Sequence, residues 1–261
     1  MGTLDTAFDR LSDPPAHEHS IYTTLAPLYQ AMYVARNRIT GQLKTVVDVA
    51  PPDATTVLEL GCGTGHLLAE LSASFEHAIG VDPSPEMARL ANNRAEYICQ
   101  ADTHAIQSNS VDIAVLLGAV LGHIRPDGAA KEAITEVQRS LRPGGRVICS
   151  VHQQLEAPRS RQLTRTVDGY EITQRDEQRP TGGNVFKWNV NFDMTDKTTG
   201  ETRSVSTVES LRAFTTAELV QWFEDVGFVS VETRPRQYVT GPGEADRAFV
   251  LTAKCPSSGG R

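Results

Sequence analysis

The sequence predicts a doubly wound α/β fold: a mostly parallel sheet of seven strands between helices, with an antiparallel β insertion before the last helix and strands. Three observations carry that prediction. Short apolar runs alternate with helical periods from Thr56 to Val151, which is how strands covered on both faces are encoded. Segments rich in Thr, Val and aromatic residues but poor in helical period follow as far as Ala213, and one further helix with two strands then ends the ordered part.

Taken in order, Ile39, Leu43, Val46, Val47 and Ala50 follow helical spacing and stop at Pro51-Pro52. Strands are expected at Thr56–Leu60, Ala78–Val81, Tyr97–Gln100, Val111–Leu117 and Arg146–Val151, with helices over Gly65–Ser72, Pro85–Arg94 and Ala129–Leu141 between them. Thr164–Thr173, Val185–Met194 and Thr202–Ala213 read as antiparallel strands, separated by turn signals at Gly182-Gly183-Asn184 and Thr198-Thr199-Gly200. A helix over Thr216–Val226, capped by Thr215 or Thr216 and ended by Gly227, precedes strands at Phe228–Thr233 and Ala248–Ala253.

The expected division is therefore a flexible arm over 1–19, a helical lead-in and ligand-binding core over 20–152, and the β insertion over 153–213. Residues 214–254 complete the core sheet, and 255–261 form a flexible tail. The insertion is expected to act as a lid or as the interface of a homodimer.

Composition narrows the partners. With 25 Lys and Arg against 32 Asp and Glu, the net charge of −7 offers phosphate backbones no overall attraction, so nucleic acid is not an expected partner. The densest basic stretch, Arg159 to Arg165, reads as a solvated loop. Cys62, Cys99, Cys149 and Cys255 are widely spaced and lack a C-x-x-C pair, which suits buried thiols. No run of about 18 apolar residues is present to span a bilayer, and no early apolar stretch suits a leader, so a cytoplasmic protein is expected with no membrane partner. No Asp or His pair falls at ligand spacing after the fourth strand, so no metal is expected.

The strongest local signal is Val57-Leu58-Glu59-Leu60-Gly61-Cys62-Gly63-Thr64-Gly65, an apolar strand running into a glycine turn and then a helix. Glycines allow a sharp turn and a close backbone approach to a ligand. Asp82 ends the next strand, where a carboxylate can accept hydrogen bonds from both ribose hydroxyls of an adenosine. A dinucleotide fingerprint would want a third small residue where His66 stands, which weakens a dehydrogenase reading.

Glu59 to Gly65 resembles the first motif of class I S-adenosylmethionine-dependent methyltransferases. Val81-Asp82, Ala101-Asp102-Thr103 and Leu141-Arg142-Pro143-Gly144-Gly145 are similar to later motifs of that family, in the same order, and together they span roughly Thr55 to Val151. The resemblance implies a Rossmann-like fold and S-adenosyl-L-methionine as cofactor. It gives Gly61 and Gly63 to the amino-acid portion, Asp82 to the ribose, Asp102 and Thr103 to the adenine, and Gly118 to the methionine backbone. Glu59 would steady the turn or meet the cofactor ammonium, its alternative being a solvent-facing strand position. Met87 packs either on the adenine or simply in the core.

Ligands of open parallel sheets lie beyond the carboxyl ends of the strands, which nominates the segments after Leu117 and Val151. His123 and His152 lie there, each either beside a methyl acceptor or in a structural hydrogen bond. Gly122-His123-Ile124 and the late insertion look like the glycine and amino-sugar N-methyltransferases, which extends the resemblance to Tyr29 and Arg36 as contacts of the cofactor carboxylate. Tyr22, Tyr29 and Tyr33 also read as an apolar helical stripe, and Arg36 as a solvated side chain. The resemblance thus implies methyl transfer to a small-molecule acceptor, with an amine preferred over oxygen or carbon and His123 at the acceptor. A nicotinamide dehydrogenase and a non-catalytic adenosyl-ligand binder are the competing classes.

Overall fold

The computed structural model describes residues 3–11, 20–94, 97–99, 106–236 and 248–257. In chain order the elements begin with α1 (Thr3–Arg10), a one-turn 3-10 helix (Ser20–Tyr22), α2 (Ala26–Tyr33) and α3 (Arg36–Val49). Then come β1 (Thr56–Leu60), α4 (His66–Ser72), β2 (His77–Val81), α5 (Pro85–Ala91), β3 (Tyr97–Cys99) and β4 (Val111–Leu116). They are followed by α6 (Val120–His123), α7 (Asp127–Ser140), β5 (Leu141–His152), β6 (Arg159–Val167), β7 (Tyr170–Gly182), β8 (Val185–Asp196) and β9 (Thr202–Arg212). The chain closes with α8 (Thr216–Val226), β10 (Val229–Pro235) and β11 (Ala248–Lys254).

These elements make two compact units, one from Met1–Ala35 with Leu155–Leu211 and the other from Arg36–Gln154 with Arg212–Arg261. The larger unit holds a seven-stranded sheet in the order β10-β11-β5-β4-β1-β2-β3. Neighbours among β1 to β5 pair parallel, whereas β11 runs antiparallel to both β5 and β10. Alternate residues of its strands feed two cores, as the pleat requires. On one face Leu58, Leu60, Leu116, Val147 and Leu251 meet Ile134 and Val137 of α7 and Leu219, Trp222 and Phe223 of α8. On the other, Val57, Ile113, Val115 and Ile148 meet Val46 and Val49 of α3 and Leu67, Leu68 and Leu71 of α4. Each fully buried Leu or Ile contributes roughly 2 kcal/mol, so both layers fix the sheet beneath its carboxyl-end loops.

Two joints refine the expected boundaries. β5 begins at Leu141 rather than Arg146, because Leu141 already pairs with Val111 before a register shift. Arg142 fixes that segment through a 2.7 Å ion pair with Asp112, whose other oxygen accepts from the Thr55 and Thr56 amides at 3.0 and 2.9 Å. α8 starts where expected, with the Thr215 hydroxyl capping the Glu218 amide and Gly227 in the left-handed region at φ +105°.

The smaller unit carries the four-stranded antiparallel sheet β6-β7-β8-β9. Its first strand pair corrects the sequence reading: Thr164–Thr173 is two strands, since Asp168 and Gly169 adopt φ +48° and +84° and turn the chain back on itself. Asp-Gly is a strong hairpin signal, overlooked because strand-forming residues flank it on both sides. The stretch from Arg159 is likewise β6 and not a solvated loop, with Arg161 paired to Asp176 at 3.0 Å. The expected flexible arm contains α1, whose Leu4, Ala7 and Phe8 are buried with the following Leu11. Their spacing is the apolar stripe of an amphipathic helix. The stretch from Met1 to Ala35, taken as arm and lead-in to the core, belongs with the insertion.

Candidate active site

At the carboxyl end of β1 the chain turns through Gly61, Gly63 and Gly65, all at positive φ (+65°, +55° and +78°). The amides of Gly61 and Cys62 both donate to the Val81 carbonyl, at 2.7 and 3.1 Å, which ties the turn to the end of β2. The glycines differ in their surroundings. A Cβ on Gly61 would lie 2.5 Å from Val120, and one on Gly65 would lie 2.9 Å from Ala91, so both are close-packing sites. A Cβ on Gly63 would meet nothing within 4 Å among the described residues, so toward these the turn is open.

Asp82 stands beside that space. Its Oδ2 accepts from the Gly63 amide at 2.8 Å and its Oδ1 from the Ser84 amide at 2.9 Å. Burial raises its pKa, and the two amides pull against that rise. Ser84 in turn accepts from the Met87 amide and caps α5, leaving the Met87 side chain buried. Glu59 is buried rather than solvent-facing, and its Oε2 has no hydrogen-bond partner among the described residues. Burial first, and then the charge of Asp82, push its pKa well above the usual carboxylate range.

His66 occupies the position that disfavours a dinucleotide. Its Nδ1 lies 2.9 Å from the Thr64 hydroxyl, and burial with the nearby Arg94 lowers its pKa to about 4. A neutral imidazole therefore braces the turn.

Gly118, at φ +88°, follows β4, and its amide donates to the Ser150 hydroxyl of β5 at 3.0 Å. α6 comes next, with Val120 against Gly61 and His123 as its last residue, half-buried. A Cβ on Gly122 would lie 2.7 Å from the Arg212 carbonyl, so α6 is seated directly on that backbone. The Arg212 side chain is fixed in its turn, bonded to Asp127 at 2.7 Å and Glu218 at 2.6 Å over the faces of Phe214 and Trp222.

Of the residues nominated from sequence, the larger unit brings Glu59, Gly61, Gly63, Asp82 and Met87 together around the glycine turn, with Gly118 and His123 on the segment that packs against it. Arg36 is exposed at the start of α3. Arg38, two residues on, has its Nη2 3.7 Å from a Cβ built on Gly118, a position that helical spacing alone did not distinguish. Ser150 also escaped the sequence reading, since nothing marks one hydroxyl in an apolar strand. Tyr29 lies in the smaller unit, its ring 5.4 Å from Tyr22 and 5.0 Å from Tyr33, as the aromatic-stripe reading expects. Asp102 and Thr103 lie outside the described residues. Among the described residues no group of three or more His, Cys, Asp or Glu is placed to hold a metal ion, and no helix is long and apolar enough to cross a membrane.

Strand order, glycine turn and acidic strand end together define a class I methyltransferase fold. Residues 57–145 match the family described as a methyltransferase domain, so the chain carries an S-adenosylmethionine-dependent methyltransferase domain. More particularly, its fold is similar over 93% of this chain and 100% of the other to Streptomyces venezuelae DesVI, with a TM-score of 0.75 and 19% identity. The S-adenosylmethionine-bound amino pentose methyltransferase CalS10 of Micromonospora echinaspora is similar over 87% of this chain and 95% of that one, with a TM-score of 0.71 and 20% identity. In sequence, the chain is 26% identical over 136 residues to a tRNA (carboxymethyluridine(34)-5-O)-methyltransferase of Arabidopsis thaliana, covering 51% of this chain. It spans 32% of that relative's length.

Proposed function

We propose that the chain transfers the methyl group of S-adenosylmethionine to the nitrogen of a small-molecule amine. The observation that carries this reading is the glycine turn, where Gly63 meets nothing within 4 Å among the described residues, the Asp82 carboxylate accepts from its amide, and Glu59, in the field of Asp82, keeps a buried oxygen without a partner among the described residues. A Cβ-free turn admits the cofactor's backbone-like portion, Asp82 retains lone pairs for ribose hydroxyls, and Glu59 offers the acceptor that an ammonium needs. Gly118 leaves room on the neighbouring strand end, where Arg38 supplies a cation for a carboxylate.

When bound, the cofactor supplies an electrophilic methyl on a sulfonium. The protein's own task is to align a nucleophile with it and exclude water. An amine must be neutral to attack, and His123 at the end of α6 is assigned to hold it there and take its proton. The fold likeness to an amino pentose methyltransferase supports an amine acceptor. The net charge of −7 weighs against a nucleic acid acceptor.

The test is calorimetry with S-adenosylmethionine alongside transfer of labelled methyl to a panel of small amines. Asp82→Asn should weaken cofactor binding about tenfold, the loss of about one charge-assisted hydrogen bond. His123→Ala should lower turnover at least tenfold while leaving cofactor affinity within about twofold. Equal loss of both in the His123 variant would remove it from the acceptor's side, and no heat with the cofactor would end the proposal.

A further inference from the structure

β4 hands the chain to α6 through two residues in the left-handed region, Gly118 at φ +88° and Ala119 at φ +65°. Glycine accepts that backbone freely, but in alanine the Cβ crowds the following carbonyl, so Ala119 is strained. Strain of this kind persists only where the surroundings hold it, and it gathers at functional segments. α6 is a single turn, with the Gly122 amide donating to the Ala119 carbonyl at 2.9 Å and the Ile124 amide to the Leu121 carbonyl at 3.3 Å. So short a helix does not fix its own direction. Its seat comes from outside: Leu121 is buried in the core that α7 and α8 cover, Val120 packs on Gly61, and Gly122 lies on the Arg212 backbone.

The left-handed pair itself is gripped by one side chain. Leu116 pairs with Cys149 at the end of β4, and two residues on, the Gly118 amide donates to the Ser150 hydroxyl at 3.0 Å. Ser150 is 1% exposed, between Cys149 and Val151 at 0% each. An interior hydroxyl costs free energy unless it is bonded, and so does a buried amide. Each answers the other here, and alanine in place of Ser150 would take this acceptor from the Gly118 amide.

We infer that Ser150 is a positioning residue for methyl transfer: by holding Gly118-Ala119 left-handed, its hydroxyl sets the direction in which α6 carries His123 toward the acceptor. The inference rests on the reading above that places His123 beside the amine. Ser150 takes no proton from the acceptor; it acts through the turn. A misplacement of about 1 Å at reacting groups is enough to cost roughly a hundredfold in rate, so a small tilt of α6 suffices.

Ser150→Ala, Ala119→Gly and the double variant test this in the full chain. The imidazole C–H resonances of His123, assigned with His123→Ala, report on α6 without any turnover. Ser150→Ala should move them and lower kcat about tenfold, the rate equivalent of one lost hydrogen bond. Its dissociation constant for S-adenosylmethionine should stay within about twofold. Adding Ala119→Gly should return the resonances and most of the rate, because glycine keeps the left-handed turn without strain. Should Ser150→Ala fail to fold, Ser150→Cys, close in size and a weaker acceptor, takes its place. A loss of thermal stability with resonances and kcat unmoved would make Ser150 a structural hydrogen bond only and overturn the inference, as would a defect that Ala119→Gly leaves untouched. In the His123→Ala background, Ser150→Ala should lower kcat no further, since both act on one step. Additive losses would overturn the positioning role while leaving His123 at the acceptor. No loss from His123→Ala itself would sink the reading beneath, and moved and restored resonances would still place α6 under the control of Ser150.

Discussion

Around the glycine turn of the larger unit, polar contacts fall mainly to backbone amides, whereas in the smaller unit they fall to side chains on one face of a sheet. Val81 and Asp82 are met by the amides of Gly61, Cys62, Gly63 and Ser84. Gln174, Asp176, Arg161 and Tyr33 meet one another. A backbone network needs residues that let the chain bend, so it leaves a short contiguous signature. A side-chain network on a sheet needs residues two apart on several strands, so its members lie scattered through the sequence.

Substitutions should separate the two kinds of network. The largest effect is expected at Gly61→Ala, where a left-handed backbone and the 2.5 Å approach of Val120 both oppose a methyl group. A loss of about 3 kcal/mol in denaturant unfolding is expected. Adding Val120→Ala should restore the steric share and leave the backbone share. Failure of the double variant to recover would mean that α6 is not what crowds the turn.

Next comes Asp176→Ala, which strips Arg161 and Gln174 of a partner on the buried face. It should cost about 2 kcal/mol, moderated by the partial exposure of Arg161. A change of less than about half a kcal/mol would show that the smaller unit's polar face is solvated rather than sealed. Smaller in stability, about 1 kcal/mol for backbone strain alone, is Gly63→Ala, because its Cβ meets nothing among the described residues. Its cofactor affinity should fall far more than its stability, and equal small changes in both would mean that the open space is not the cofactor's.

The effect that is mild near neutral pH and grows only in acid concerns His66. The fold lowers its pKa from 6.5 to about 4, so below pH 6.5 the unfolded chain takes up a proton that the folded chain refuses. Stability is complete above pH 6.5 and declines as pH falls toward 4. His66→Gln, followed by thermal unfolding across that range, should flatten this part of the profile.

Much of the larger unit was legible because each strand, turn and cap is local. Val57 to Gly65 announces a strand and its turn, and Thr215 with Gly227 frames α8. Glu59, Gly61, Gly63 and Asp82 lie within such local stretches, which is why the sequence nominated them. Arg38 was not, because only the fold brings a residue of α3 near Gly118. Ser150 was missed since an interior hydroxyl carries no local mark. In the smaller unit, Asp168-Gly169 was hidden between two strand-like runs, and Leu4, Ala7, Phe8 and Leu11 were masked by polar neighbours and by Pro14-Pro15. The buried face escaped altogether: Gln174 and Asp176 look like ordinary polar positions until Tyr33 and the register of β7 with β8 enclose them.

The hydrogen bond between Tyr33 and Gln174 spans 141 residues of chain. α1 and α2 leave the ribosome ahead of β1 to β5, yet the strands they pack with are synthesised only after β5. At about 5–20 residues per second, these opening helices wait for seconds with their apolar stripes uncovered. During synthesis, it is these two helices and not the parallel-sheet core that most need a chaperone's shelter.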